Sequence, residues 1–174
     1  MGRGKSKVSV GGGAPKAITD FEKSIQKSET EKALIITSSG KQIKFSGNEH
    51  HILTSEKDIA LLNGAIATHN HPLEVTFSND DIINGIVKGN LKEMRIVTKS
   101  GELNVIKNNG ASLEDRRTFS AQYGNQRMRA NNNANAKLRR GEKINKDEYV
   151  NNQLKNWMEN HASEYNLEFK KKKI

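Results

Sequence analysis

The pattern of this chain predicts an α+β fold in three layers: a mixed β-sheet flanked by helices, with a C-terminal helical extension. Three observations carry that expectation. Apolar runs of strand length, Ala33–Thr37, Gly64–Thr68, Met94–Thr98 and Leu103–Ile106, alternate with segments of helical periodicity. Ala33–Thr37 is joined to Gln42–Phe45 through the turn Ser38–Lys41, and Met94–Thr98 to Leu103–Ile106 around Ser100-Gly101; both pairs read as hairpins. The remaining run, Gly64–Thr68, stands alone between two helical segments. The resulting order is helix, hairpin, helix, strand, helix, hairpin.

Each element has a local reason. Residues 1–16 are rich in Gly, Lys and Ser and read as a flexible basic tail. Ile18, Phe21 and Ile25 share one face of a helix over Ala17–Ser28. Ala33–Thr37 is a buried strand, and Gln42–Phe45 returns beside it. Ser46–His51 is loop, and Thr54 opens a short helix carrying Ile59, Leu61 and Leu62. Pro72 removes a backbone donor and ends the strand that precedes it. Ser78, with Asp81 three residues on, has the form of a capping box opening a helix that runs to Gly89. Beyond residue 110 the chain changes character. Leu113 to about Arg140 is polar and Asn-rich with thin periodicity. Ile144–His161 is helical, Leu167–Phe169 is a short strand, and Lys170–Lys173 is a charged end.

Composition narrows the chemistry. The chain has 174 residues, 33% of them hydrophobic, with mean hydropathy −0.80, so one compact domain with extensions is expected. Without cysteine, disulfides and thiolate metal sites are excluded, and any metal must use His and carboxylate ligands. No apolar run is long enough to span a bilayer. The basic start Met1–Lys7 lacks the apolar core of a signal peptide, so a cytoplasmic location is expected. The net charge of +9 is divided as +4 in residues 1–16, −3 in 17–115 and +8 in 116–174. Basic flanks favour weak contact with anionic partners such as nucleic acid, although aromatic residues, at 5%, provide few stacking platforms.

The chemistry concentrates in Thr68-His69-Asn70-His71-Pro72, followed by Ser78 and Asp81. On a strand His69 and His71 share a face, and Asp81 in the next helix's first turn can fold back toward them. Two imidazoles and one carboxylate hold a divalent cation while leaving a position open, which is how a catalytic zinc site is built. Ser78 stands beside such an ion, where its hydroxyl can donate to a developing oxyanion. A hydrolytic site also needs a general base outside the ligand set. Glu31, just before the first buried strand, is one candidate; Glu29, Glu49 and Glu74 are its competitors. His50 and His51 read as solvent-exposed loop histidines, and His161 as an ordinary helix-end histidine.

His69-x-His71-Pro72 with Ser78-x-x-Asp81 resembles the motif of the JAMM (JAB/MPN+) metalloproteases, and the wording His69-Asn70-His71-Pro72 is similar to their RadC-like branch. The resemblance covers residues 17–110. It implies a JAB/MPN-like metal domain there, with Zn2+ held by His69, His71 and Asp81. Ser78 would be the oxyanion helper and an upstream Glu the general base, Glu31 matching best. The six-residue spacer from His71 to Ser78 is one shorter than the family's usual length, which keeps Asp80 as an alternative ligand. Glu31–Ile36 and the stretch Asn84–Glu93 also resemble JAB-type modules at the C-termini of some phage head-morphogenesis proteins. The implied function is a zinc-dependent hydrolase of amide or isopeptide bonds. Its substrate would be a protein or peptide, phage head components among them, and its location the host cytoplasm or the virion. The alternatives are a nucleic-acid-associated RadC-like module and a non-catalytic phage assembly domain.

Overall fold

A computed structural model describes residues 14–46 and 56–174. The elements are α1 (Lys16–Ile25), β1 (Lys32–Ile36), β2 (Gln42–Ser46), α2 (Glu56–Ala60), β3 (Ile66–His71) and α3 (Asn79–Asp81). The α3 turn continues as a π-helical segment, Ile82–Lys88. Then follow β4 (Glu93–Thr98), β5 (Glu102–Asn108), α4 (Leu113–Arg139), α5 (Lys146–His161), a 3-10 turn (Ala162–Tyr165) and β6 (Leu167–Lys173). The Gly-rich start up to residue 13, most of the expected 46–51 loop, and Thr54 lie outside the described residues.

The six strands form one sheet in the order β2-β1-β3-β4-β5-β6. Both expected hairpins form, β1 against β2 and β4 against β5, each antiparallel. The β3–β4 pair alone is parallel, because the connection through α3 returns the chain to the same end of the sheet. The sheet is therefore mixed, with helices on both faces: an α+β three-layer fold. No helix among the described residues is long and apolar enough to cross a membrane.

The two faces differ in chemistry. On one, Ala67, Met94, Ile96, Ile106 and Phe169 pack with Ile82 and Ile86 after α3, with Phe119 and Tyr123 of α4, and with Leu154 and Met158 of α5. On the other, Val97, Leu103 and Val105 pack under Phe21 and Ile25 of α1. This second face also buries a charge cluster. Arg95 donates through Nε to Glu22 Oε1 (2.5 Å) and through Nη2 to Glu22 Oε2 (3.1 Å), while Nη1 bonds Glu93. Thr68 of β3 adds a bond to Glu22 Oε1 (2.9 Å). The planar guanidinium fork locks α1 to the sheet directly behind the His strand.

One local expectation is corrected, the end of the His strand, and the helical extension takes a definite form with a longer last strand. The His strand does not end at Thr68: β3 runs on through His71, because β4 pairs with it residue by residue as far as His71↔Thr98. The polar stretch after residue 112 is one 27-residue helix, α4, opened by a second capping box between Ser112 and Asp115. Its few apolar positions, Phe119, Tyr123, Ala130 and Ala134, line one stripe, and that is enough once α5 and the sheet cover it. Burying a large side chain such as Phe119 contributes about 1.5–3 kcal/mol. The last strand is longer than its apolar part. Its lysines pair with β5 up to Lys173↔Glu102 and lie along the open edge, where charge discourages further strand pairing. Residues 111–174 thus share the sheet and core, and the change in composition at residue 110 is not a boundary of packing.

Arg95→Met would strand Glu22 and Glu93 as buried carboxylates with no cation. We expect a loss of about 3–5 kcal/mol at neutral pH, read as a lower urea midpoint.

Candidate metal centre

The pleat of β3 divides its last residues between two layers. His69 and His71 face α3, while Thr68 and Asn70, both fully buried, face backward. Asn70 is spent on one neighbouring segment. Its Oδ1 accepts from the Lys32 amide (2.8 Å), and its Nδ2 donates to the carbonyls of Thr30 (3.1 Å) and Ser28 (3.3 Å). That segment carries Glu31. The β1–β3 register, Ala33↔His69, continued by two residues, sets Glu31 across from His71 and on its face. Ala33, with only a methyl group, leaves room beside His69.

The side chains converge. His69 Nε2 lies 2.9 Å from His71 Nε2, 3.5 Å separates it from Asp81 Oδ1, and His71 Nε2 is 3.6 Å from Asp81 Oδ2. Ligand atoms of Glu31, His69 and His71 all lie within 4.8 Å of one another. Ligands bound tetrahedrally at 2.0–2.2 Å stand ~3.3–3.6 Å apart. The two Asp81 contacts fall in that range through different oxygens, and the two imidazole nitrogens stand closer, at hydrogen-bonding distance. The group able to hold a metal is Glu31, His69 and His71, so that Glu31 joins the histidines as a candidate ligand. His71 Nδ1 is 2.9 Å from the Val75 carbonyl, which can only accept. The proton is therefore on Nδ1, and the Nε2 lone pair is turned toward the other ligands. The Asp81 side chain keeps 21% exposure and that of His69 17%, so one side of the cluster remains open to solvent.

Asp81 is aimed by its helix cap. Its Oδ2 accepts from the Ser78 amide (2.8 Å), and its own amide donates to Ser78 Oγ (3.0 Å). The cap uses a lone pair of the Ser78 hydroxyl and leaves the proton for another acceptor. Burial would push the Asp81 carboxyl up, but the charge and hydrogen bond of His69, then His71 and the Ser78 amide, hold it well below the usual carboxylate range. Burial would likewise push His69 down. Asp81 and Glu31 outweigh it, and the His69 pKa is raised. The site is thus negative enough to retain a proton on His69 where a cation would sit.

The competing residues lie elsewhere. Glu29 is exposed and pairs with Lys99 Nζ (2.8 Å). Glu74 accepts from the amide (2.6 Å) and hydroxyl (2.9 Å) of Ser100, at the β4–β5 turn. Asp80 is exposed beside the capping pair. His161 pairs with Glu164 (2.8 Å) at the end of α5. Glu49, His50 and His51 lie outside the described residues.

Several residues at the site carry no sequence signal for it. Tyr123 Oη donates to the Phe77 carbonyl (2.5 Å), and burial pushes this phenol up, keeping it a donor. Arg127 reaches the same carbonyl (2.6 Å) and Asn79 Oδ1 (3.1 Å). Asn151 of α5 bonds the loop between His71 and Ser78. These three come from α4 and α5, beyond the stretch in which the motif is written. No family model, curated protein or solved structure matches the chain.

A divalent cation must displace the His69 proton, and the raised pKa keeps that proton in place to higher pH. Affinity for Zn2+ or Co2+ should therefore begin to weaken above the ordinary imidazole value of about 6.5 as pH falls, with proton release on binding. Calorimetry in buffers of different ionisation enthalpy measures both effects. His69→Ala should lower affinity by more than about 100-fold, beyond what the loss of an outer-shell partner costs.

Proposed function

We propose that this chain is a zinc-dependent hydrolase of amide or isopeptide bonds, working by JAMM-type chemistry. One observation carries the reading: Glu31, His69 and His71 bring their ligand atoms together, and Asp81, from a third segment, approaches both histidines on a side open to solvent. Two imidazoles with a carboxylate, and no cage of oxygens, suit zinc better than magnesium or calcium. His69, His71 and Asp81 are the ligands. Zinc held there lowers the pKa of its water toward ~7 and polarises a carbonyl.

The protein's residues supply the rest. Glu31 takes the proton of the attacking water and delivers it to the leaving nitrogen, so one carboxylate serves as base and then acid. The Ser78 hydroxyl donates to the substrate carbonyl oxygen as negative charge develops on it. Its fixed place at the cap means that no reorganisation accompanies that bond. The resemblance of Glu31–Ile36 and Asn84–Glu93 to modules of phage head-morphogenesis proteins makes phage head components the first substrates to try.

Purified protein should contain close to one zinc per chain. Glu31→Gln should keep the metal and lose about 10²–10⁴-fold in cleavage, scored as new protein termini in cells expressing either form. Zinc-free wild type would overturn the metal assignment, and undiminished cleavage by Glu31→Gln would remove Glu31 from the base role.

A further inference from the structure

The loop from Pro72 to Phe77 contains Val75, whose carbonyl sets the protonated nitrogen of His71. A loop carbonyl is a poor fixed point unless something holds it. Here the support comes from α5. Asn151, 5% exposed, donates through Nδ2 to the Glu74 carbonyl (2.5 Å) and accepts through Oδ1 from the Thr76 amide (3.0 Å). One carboxamide thus grips the residues on either side of Val75, using a donor and an acceptor together. Thr76 is held a second time, by a bond from its Oγ1 to Asn104 Oδ1 on β5 (3.0 Å). Asn104 in turn donates to Glu102 (3.0 Å), which pairs with Lys155 one turn along α5 (2.7 Å). The bracket is buried and directional, and it rests on a helix that packs on the sheet.

We propose that Asn151 is a positioning residue of the metal centre, acting through Val75 on His71. By fixing the Val75 carbonyl it holds the His71 proton on Nδ1 and leaves Nε2 as the ligand atom. Residues 111–174, which lie outside the motif's resemblance, are in this sense part of the site. The inference rests on the zinc reading for its purpose, but its first step, the choice of His71 tautomer, does not need the metal.

The experiment separates the two. Long-range proton–nitrogen correlation spectra of the metal-free protein at alkaline pH report which nitrogen of each histidine is protonated. Wild type should show His71 as the Nδ1–H form. Asn151→Ala should give a mixture of tautomers and a 10–100-fold loss in Co2+ and Zn2+ affinity. Asn152→Ala, an exposed neighbour on the same helix, should change neither. If Asn151→Ala does not fold, Asn151→Asp replaces it: it keeps the acceptor for Thr76, sets an oxygen against the Glu74 carbonyl in place of the donor, and should show a shift in the same direction. An unchanged His71 tautomer in the folded variant would overturn the proposal, as would a loss of affinity that Asn152→Ala reproduces. Wild type with the expected tautomer but no affinity for either metal would leave the positioning role standing and remove the zinc reading.

Discussion

Everything at the site depends on β3 being a central strand with both faces committed. A strand can present His69 and His71 to one layer only by sending Thr68 and Asn70 to the other, and here both of those residues are buried. Both backward residues are polar, and an unbonded polar group buried there would cost several kcal/mol. Thr68 meets the Glu22–Arg95 pair, and Asn70 satisfies the backbone around Glu31. A register shift of one residue would bury the histidines among charges and turn Asn70 toward the opening. The polar contacts behind the sheet therefore fix which atoms stand in front of it.

Electrostatics at the front of the sheet follows from that placement. Two carboxylates, Glu31 and Asp81, approach two imidazoles in a largely buried corner. With neutral rings the corner carries two negative charges, which low dielectric penalises. A proton on His69 offsets one of them, in keeping with its raised pKa. A divalent cation offsets both. The same reasoning explains why Ser78 and Asp81 form a reciprocal cap. The helix start supplies a backbone donor to the carboxylate and orients it before any ligand arrives.

Much of this was legible in the sequence because its physical origin is local. The His69/His71 spacing is the period of a strand, the Ser78/Asp81 spacing is that of a capping box, and Pro72 is a chain break in any context. Glu31 stood out among its rivals only by its place before an apolar strand. Its distance from the histidines needed the β1–β3 register, which pairs residues 30 to 36 positions apart. The second helical pair was harder to read. A helix as polar as α4 shows four buried positions in 27 residues, too few to assert a face until α5 and the sheet supply its partner. The lysines at the chain's end gave no hint of a strand, since beyond Phe169 the exposed part of β6 is held by backbone pairing with β5 rather than by buried side chains.

By itself, the sequence determined the alternation of helices and strands, the two hairpins, and the His69/His71 and Ser78/Asp81 spacings. Each of these depends on residues within a few positions of one another. Only the tertiary structure decided that β3 lies between an antiparallel and a parallel neighbour, that Glu29 and Glu74 are engaged elsewhere, and that Asn151 and Tyr123 hold the loop between His71 and Ser78. Those side-chain contacts join residues 26 to 77 positions apart. An asparagine in a polar helix has the same sequence pattern whether it faces water or grips a buried carbonyl, and packing alone makes the difference.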